Sequence, residues 1–293
     1  MSEDTIKPES DVSDIKRTVS SYLPDFDVVL YTGDILNGTY IKWQDTLAPL
    51  MARKKDKIYI LMGTSGGNPH EAFKMMRLVQ RRYKYVGVIL LGGCYSAGTL
   101  FALGAHEILM SSGSNLGPLD VQMRREDDFS RMSGECYRQA LSDISSIAQK
   151  IFTDLFGRLK SRQDILISTQ TASHAACEIA KGLLSPITQQ IEPSKLGEMM
   201  RSQGIGISYG IRLMRNLYGE DRAYQIANSL ARQYPSHNTI IDYEEARELG
   251  LIVKLIDPLT WASGIFGRFE QIMINLDYDS VPNIKVINEM ELS

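Results

Sequence analysis

The sequence predicts an α/β protein built on a largely parallel sheet, and three observations carry that expectation. Short β-rich runs, "DFDVVLYTG" (25–33), "KIYILMG" (57–63), "VGVILLG" (86–92) and "HEILM" (106–110), end at a glycine or a turn and are too short for buried helices. Amphipathic helical stretches lie between them. Strand and helix alternate in short repeats, a pattern that implies parallel strands joined by right-handed crossovers.

Taken in order, residues 1–23 carry little apolar periodicity and read as a flexible N-terminal arm, with the folded domain expected over 24–258. In "PHEAFKMMRLVQRRY" (69–83), Ala72, Met76, Val79 and Tyr83 fall on one face, and Pro69 sits where a helix begins. After "HEILMSSGSNLGPLD" the character turns helical. Ala140, Ile144, Ile147, Ile151 and Leu155 form one apolar stripe, which predicts a helix over 133–160 packed on the sheet. From about 160 to 207 the chain is interrupted by Pro186, Pro193 and Gly204 and reads as an irregular, helical insertion. Two helices, over about 208–218 and 221–232, then lead to "DYEEARELGLIVKLI". There Asp242 and Glu245 form a capping box, Gly250 ends the helix, and "LIVKLI" returns as a strand. Residues 259–293 read as a C-terminal extension with a loose acidic tail, "INEMELS".

Composition narrows the function. The chain has 293 residues, 43% hydrophobic and 23% charged, enough for one large core. A formal charge of −3 with no long basic block gives no electrostatic reason to expect nucleic acid as the main partner. Cys94, Cys136 and Cys177 are odd in number and widely spaced, which suggests neither a disulfide framework nor a zinc site. The polar N-terminus and the lack of a long uncharged apolar stretch predict a soluble, cytoplasmic protein without a membrane span. No cofactor is implied.

The chemistry concentrates at "GGCYSAGT" (92–99). Ser96 lies where a strand hands over to a helix, so the Ala97 N–H belongs to a helix start and faces any negative charge that develops there. The turn "GTSGG" (63–67) is the parallel junction one strand earlier, and Gly66 and Gly67 let its backbone approach a ligand closely. The other reading of both turns is that small residues are needed where helices start against strands. Neither turn is a familiar fingerprint. Cys94 stands where a nucleophile elbow needs glycine, and "GTSGGN" is not a dinucleotide loop. Cys94 itself reads as a buried structural thiol.

Together, "GTSGG", "YSAGTLFALGAHEILMSSGSNLGPLD" and "DYEEARELGLIVKLI" resemble the Clp-type serine proteases of the ClpP/crotonase superfamily. The nearest likeness is to the cytosolic serine dehydrogenase proteinase family, related to signal peptide peptidase A. It spans roughly residues 25–160 and 208–258. The resemblance implies a ClpP/crotonase-like superhelix of repeated β-β-α units and a homo-oligomer acting on protein or peptide substrates. It further implies that Ser96 is the nucleophile and that the Gly67 and Ala97 amides form the oxyanion hole. One departure matters: Clp subunits carry the catalytic histidine in the loop that here reads "LGPLDVQ", with Leu119 or Asp120 near the expected place.

The base is therefore sought elsewhere. His106 lies ten positions after Ser96, about 15 Å along a helix, too far to serve within one chain. His70 follows the "GTSGG" turn but starts a helix, where a histidine faces solvent, and His174 falls in the insertion. Two candidates stay open. Lys150 shares a helix side with Asp143 beside the apolar stripe, where partial desolvation would favour a neutral amine and a Ser-Lys dyad, or it snorkels to water. "LSDISSIAQK" resembles the corresponding family helix. His237 in "YPSHNTII" resembles a family histidine and either accepts the Ser96 proton or caps local backbone. Asp120 orients one of them or begins a turn. Three functions compete at this point: a serine peptidase with or without a protein activator, a crotonase-type acyl-CoA enzyme, and a catalytically silent oligomeric scaffold.

Overall fold

The computed structural model describes residues 23–53, 55–119, 122–125, 128–162, 166–234, 236, 238–256 and 282–287. They form two compact units, one of Met1–Asp120 with Gln203–Ser293, the other Val121–Ser202.

In the first unit the expected α/β architecture is present. Strand β1 (Phe26–Thr32) leads to helix α1 (Thr39–Met51), β2 (Lys57–Thr64), α2 (Pro69–Arg82), β3 (Tyr85–Cys94), α3 (Ala97–Ala102), β4 (Glu107–Met110) and the short β5 (Asn115–Leu116). After the second unit the chain returns with the end of α6 (Pro193–Tyr218), then α7 (Glu220–Arg232), α8 (Tyr243–Glu248) and β8 (Val253–Leu255). A last strand, β9 (Asn283–Val286), lies in the stretch read from sequence as a C-terminal extension. The sheet order is β8-β4-β3-β2-β1-β9, parallel throughout except that β9 runs antiparallel to β1. Beyond Ile89, β3 changes partner from β4 to β5, which opens the sheet at its C-terminal edge.

The strands are buried on both faces, which is why they read as continuous apolar runs. Val29 and Tyr31, Ile58, Ile60 and Met62, and Val86, Val88 and Leu90 pack against α1, α2 and α3. The alternate residues Val28, Leu30, Tyr59, Leu61, Ile89 and Leu109 build a second apolar layer on the other face. Trp43 of α1 stands at the middle of the helical layer. It is fully buried, its ring lies edge-on to Tyr31 at 6.1 Å and to Phe101 at 5.8 Å, and its indole N–H donates to the Met75 carbonyl at 3.3 Å.

Polar groups on the second face are paired. Tyr59 Oη donates to Glu107 Oε1 at 2.5 Å, and Lys254 Nζ sits 2.6 Å from Glu107 Oε2. Burial alone would raise the Glu107 pKa; the bonds from Lys254, Tyr59 and Tyr85 outweigh it and hold the carboxyl below its ordinary range.

The second unit contains a hairpin, β6 (Gln122–Arg125) with β7 (Asp128–Ser133), then helices α4 (Gly134–Ser161) and α5 (Thr169–Thr188), and the start of α6. Within this unit α4 packs against α5, which offers the buried small residues Ala172, Ala176 and Ala180 at one-turn intervals. One sequence expectation is corrected here. The stretch 160–207 was expected to be irregular, whereas its described residues are mostly the regular helices α5 and the start of α6. Pro186 falls in the last turn of α5, and Pro193 is the first residue of α6, where its missing N–H leaves no helical bond unmade.

Replacing Trp43 by alanine removes two ring contacts and the bond to the Met75 carbonyl and leaves a cavity between α1, α2 and α3. The expected cost is about 3–5 kcal/mol, read as a lower urea midpoint. A loss below about 1 kcal/mol would mean the layer is not packed around this ring.

Candidate functional site

The junctions after β1, β2 and β3 meet at the C-terminal edge of the sheet. Pairing continues past the strands: Tyr95 N–H donates to the Thr64 carbonyl at 3.0 Å, Ile35 N–H to Gly66 O at 2.7 Å and Asn68 N–H to Ile35 O at 2.7 Å. Ile35 therefore bridges the residues on either side of Gly67, and the Gly67 N–H, pointing the opposite way along an extended backbone, is left for another partner.

Both glycines of this turn are dictated by geometry. Gly66 has a φ of +104° and Gly67 of +132°, in the half of backbone space that side chains disfavour. A Cβ on Gly67 would lie 2.2 Å from the Ile35 carbonyl oxygen. A Cβ on Gly66 would lie 2.7 Å from the Tyr95 oxygen, 2.9 Å from Ser96 Cβ and 3.3 Å from the Ala97 nitrogen. The "GTSGG" turn thus presses directly on the serine and on the amide that follows it, as the parallel placement of the two junctions predicts.

Ser96 occupies the N-cap position of α3 with φ 52° and ψ −110°. Among the described residues it is the one non-glycine with positive φ. Such a conformation costs of order 1–3 kcal/mol, and the bonds around it hold it in place. The Ser96 carbonyl accepts from Leu100 N–H at 2.9 Å, and the Tyr95 carbonyl accepts from Gly98 N–H at 2.8 Å. Buried Thr99 fixes the junction from beneath, its hydroxyl 2.9 Å from Cys94 O and 2.8 Å from Gly117 O while accepting Gly117 N–H at 3.2 Å. Ser96 is half-buried. Its Oγ, and the amides of Gly67 and Ala97, make no hydrogen bond within the described residues.

The rim includes residues that the sequence reading did not single out. Ser65 Oγ donates to Asp34 Oδ1, and Asn68 Nδ2 donates to Asn37 Oδ1. Asn68 also caps α2 by accepting from His70 N–H at 2.8 Å. The available signal was "GDILNG" (33–38), a turn-rich stretch closing β1 in the same way that "GTSGG" closes β2.

The other candidates scatter. Cys94 is fully buried, and burial pushes its thiol far above the ordinary range, so it is a packing residue. His106 sits at the opposite end of β3, where its Nδ1 accepts from Val86 N–H at 3.1 Å and burial lowers its pKa. The length of β3 lies between it and the Ser96 junction. His70 is exposed, with Nδ1 2.9 Å from the Tyr209 hydroxyl. Lys150 on α4 and His174 on α5 both belong to the second unit, and both are exposed. His237 and Asp120 lie outside the described residues.

No protein-family model matches the chain. Among curated proteins it is similar to an uncharacterized protein of Methanocaldococcus jannaschii, 25% identical over 211 residues. That match takes in 72% of this chain and 58% of the relative's length. Among solved structures it is similar to the 1510-N membrane-bound stomatin-specific protease, in an alanine-for-serine variant, with TM-score 0.47 and 16% identity over 79% of this chain and 78% of that one. A second is ClpP1 from Listeria monocytogenes, with TM-score 0.43 and 14% identity over 84% of this chain and 96% of that one. Among the described residues no helix is long and apolar enough to cross a membrane.

The backbone at Ser96 supplies a direct test. Glycine relieves a positive φ and alanine does not, so Ser96→Gly is expected to be more stable than Ser96→Ala by about 1 kcal/mol in denaturant unfolding. Equal stabilities would mean that the left-handed conformation is not held in solution.

Proposed function

We propose that this chain is a ClpP-like serine peptidase, akin to the serine dehydrogenase proteinases, working in the cytoplasm as a homo-oligomer on protein or peptide substrates. The observation that supports the reading is the strained Ser96 hydroxyl beside two uncommitted amides. A side chain chosen only for close helix packing has no reason to be held at φ 52°. In the proposed reaction Ser96 Oγ attacks a peptide carbonyl carbon and its proton passes to a base, Lys150 or His237. The carbonyl oxygen becomes an oxyanion held by the Gly67 and Ala97 N–H groups. The base then protonates the leaving amine, and water hydrolyses the acyl-enzyme by the same route. The catalytic domain is assigned to residues 24–258, with the 160–207 insertion available to gate entry or bind an activator.

A second reading, a silent scaffold, draws support from one specific observation: among the described residues no base is bonded to Ser96 Oγ. The crotonase-type reading is set aside, because enolate chemistry gives a strained hydroxyl no task.

Labelling by a fluorophosphonate separates the readings. The wild type is expected to label, Ser96→Ala to lose all labelling with its fold intact, and whichever of Lys150→Ala or His237→Ala removes the base to slow labelling by roughly 10²–10⁴-fold. Labelling that survives Ser96→Ala excludes this nucleophile. Absence of labelling in the wild-type oligomer favours the scaffold.

A further inference from the structure

Helix α2 is capped by Asn68, the residue after Gly67, and carries away from it a row of aromatic and basic side chains. His70, Phe73 and Arg77 follow one face at one-turn spacing, with Arg81 a turn further on. Helix α6 answers from the same unit. The Phe73 and Tyr209 rings stack at 4.2 Å with an interplanar angle of 17°. The Arg212 guanidinium lies 4.4 Å from the Phe73 centroid and 5.4 Å from that of Tyr209, and Arg77 lies 5.7 Å from Phe73. Arg215 adds another positive charge within electrostatic reach.

Four arginines are thus gathered with no carboxylate in ion-pair contact among the described residues, whereas Lys74, Lys84 and Lys254 each have one. Arg81, Arg212 and Arg215 are exposed. The Arg77 pKa is lowered, first by burial and then by the fields of the other three arginines. A cluster of like charges left unpaired on a chain of net charge −3 is a local field that attracts an anionic partner.

We propose that this ridge is an exosite for a carboxylate-rich stretch of the polypeptide held at Ser96, a proposal that rests on the peptidase reading. The spacing suits it. Nine residues of helix from Asn68 to Arg77 span about 13 Å, the reach of roughly four extended peptide residues. Acidic residues are therefore favoured about four or more positions from the bond that is cut. Nucleic acid fits less well, because the Phe73 ring is stacked on Tyr209 and covered by Arg212, leaving no free face for a base. The exposed guanidinium forks of Arg81, Arg212 and Arg215 make no ion pair among the described residues and can take carboxylates, whereas Arg77 donates to Gln80 at 3.3 Å.

The test uses the full chain carrying Ser96→Ala, so that bound peptide is not consumed, and fluorescence anisotropy with a glutamate-rich decapeptide and its glutamine counterpart at low salt. The glutamate peptide is expected to bind at least about tenfold tighter, and Arg212→Glu with Arg215→Glu to erase that advantage, while Lys160→Glu in the second unit keeps it. Circular dichroism of each variant guards against misfolding, and Arg81→Glu with Arg215→Glu serves as the alternative pair. Equal affinity for the two peptides, a preference that survives both charge reversals, or tighter binding of oligo-dT that displaces the peptide would overturn the exosite. The two ideas fail separately. A glutamate preference without fluorophosphonate labelling of the wild type removes the peptidase reading, and labelling without that preference removes the exosite.

Discussion

The close approach of two loops governs this molecule. A Cβ at Gly66 would lie 2.9 Å from Ser96 Cβ, and only a residue without a side chain lets the turn after β2 rest on the start of α3. That contact brings the Gly67 amide, left over from the Ile35 bridge, toward the same edge as the Ala97 amide and the Ser96 hydroxyl. The chemistry proposed for Ser96 depends on that contact. The Thr64–Tyr95 bond sets the register between the two junctions, and the Thr99 hydroxyl ties the helix start to the Cys94 and Gly117 backbone.

Such a junction is strained, and a strained residue persists only where its surroundings over-determine it. Here the surroundings are a sheet buried on both faces, with Trp43, Tyr31 and Phe101 interlocked on the helical side. The two buried carboxyls differ: Glu107 is matched by Lys254 and Tyr59, whereas among the described residues Asp27 accepts through one oxygen only, from the Tyr83 hydroxyl at 2.8 Å, and burial raises its pKa. A rigid sheet edge with unspent amides suits the stabilisation of charge that appears during a reaction, since the donors need not reorganise when the charge arrives.

The parts legible in the sequence were those with a local cause. β1 to β4 announced themselves by apolar runs stopped at a glycine or a turn, α2 by Pro69 and its apolar face, and α8 by Asp242, whose Oδ1 accepts from Glu245 N–H at 2.9 Å. The approach of the Gly66 turn to Ser96 and Ala97 was legible because adjacent parallel strands must end side by side. The illegible parts depend on partners distant in the chain. Ile144, Ile151 and Leu155 form a stripe that seeks any apolar surface, and nothing in the stripe itself names α5 as a neighbour of α4. Pro186 and Pro193 signal breaks, yet one closes a helix and the other opens the next. β9 was missed because four residues, "NIKV", give too short a pattern to reveal an edge strand. The positive φ of Ser96 has no sequence signature, since serine rarely adopts it.

The most direct measurement is a crystal structure of the protein reacted with a peptide boronate, which forms a tetrahedral adduct with an attacking hydroxyl. The account predicts a covalent bond from Ser96 Oγ to boron, with one boronate oxygen about 2.7–3.1 Å from both the Gly67 and Ala97 nitrogens. An adduct on another residue, or an oxygen turned away from those two amides, would contradict it.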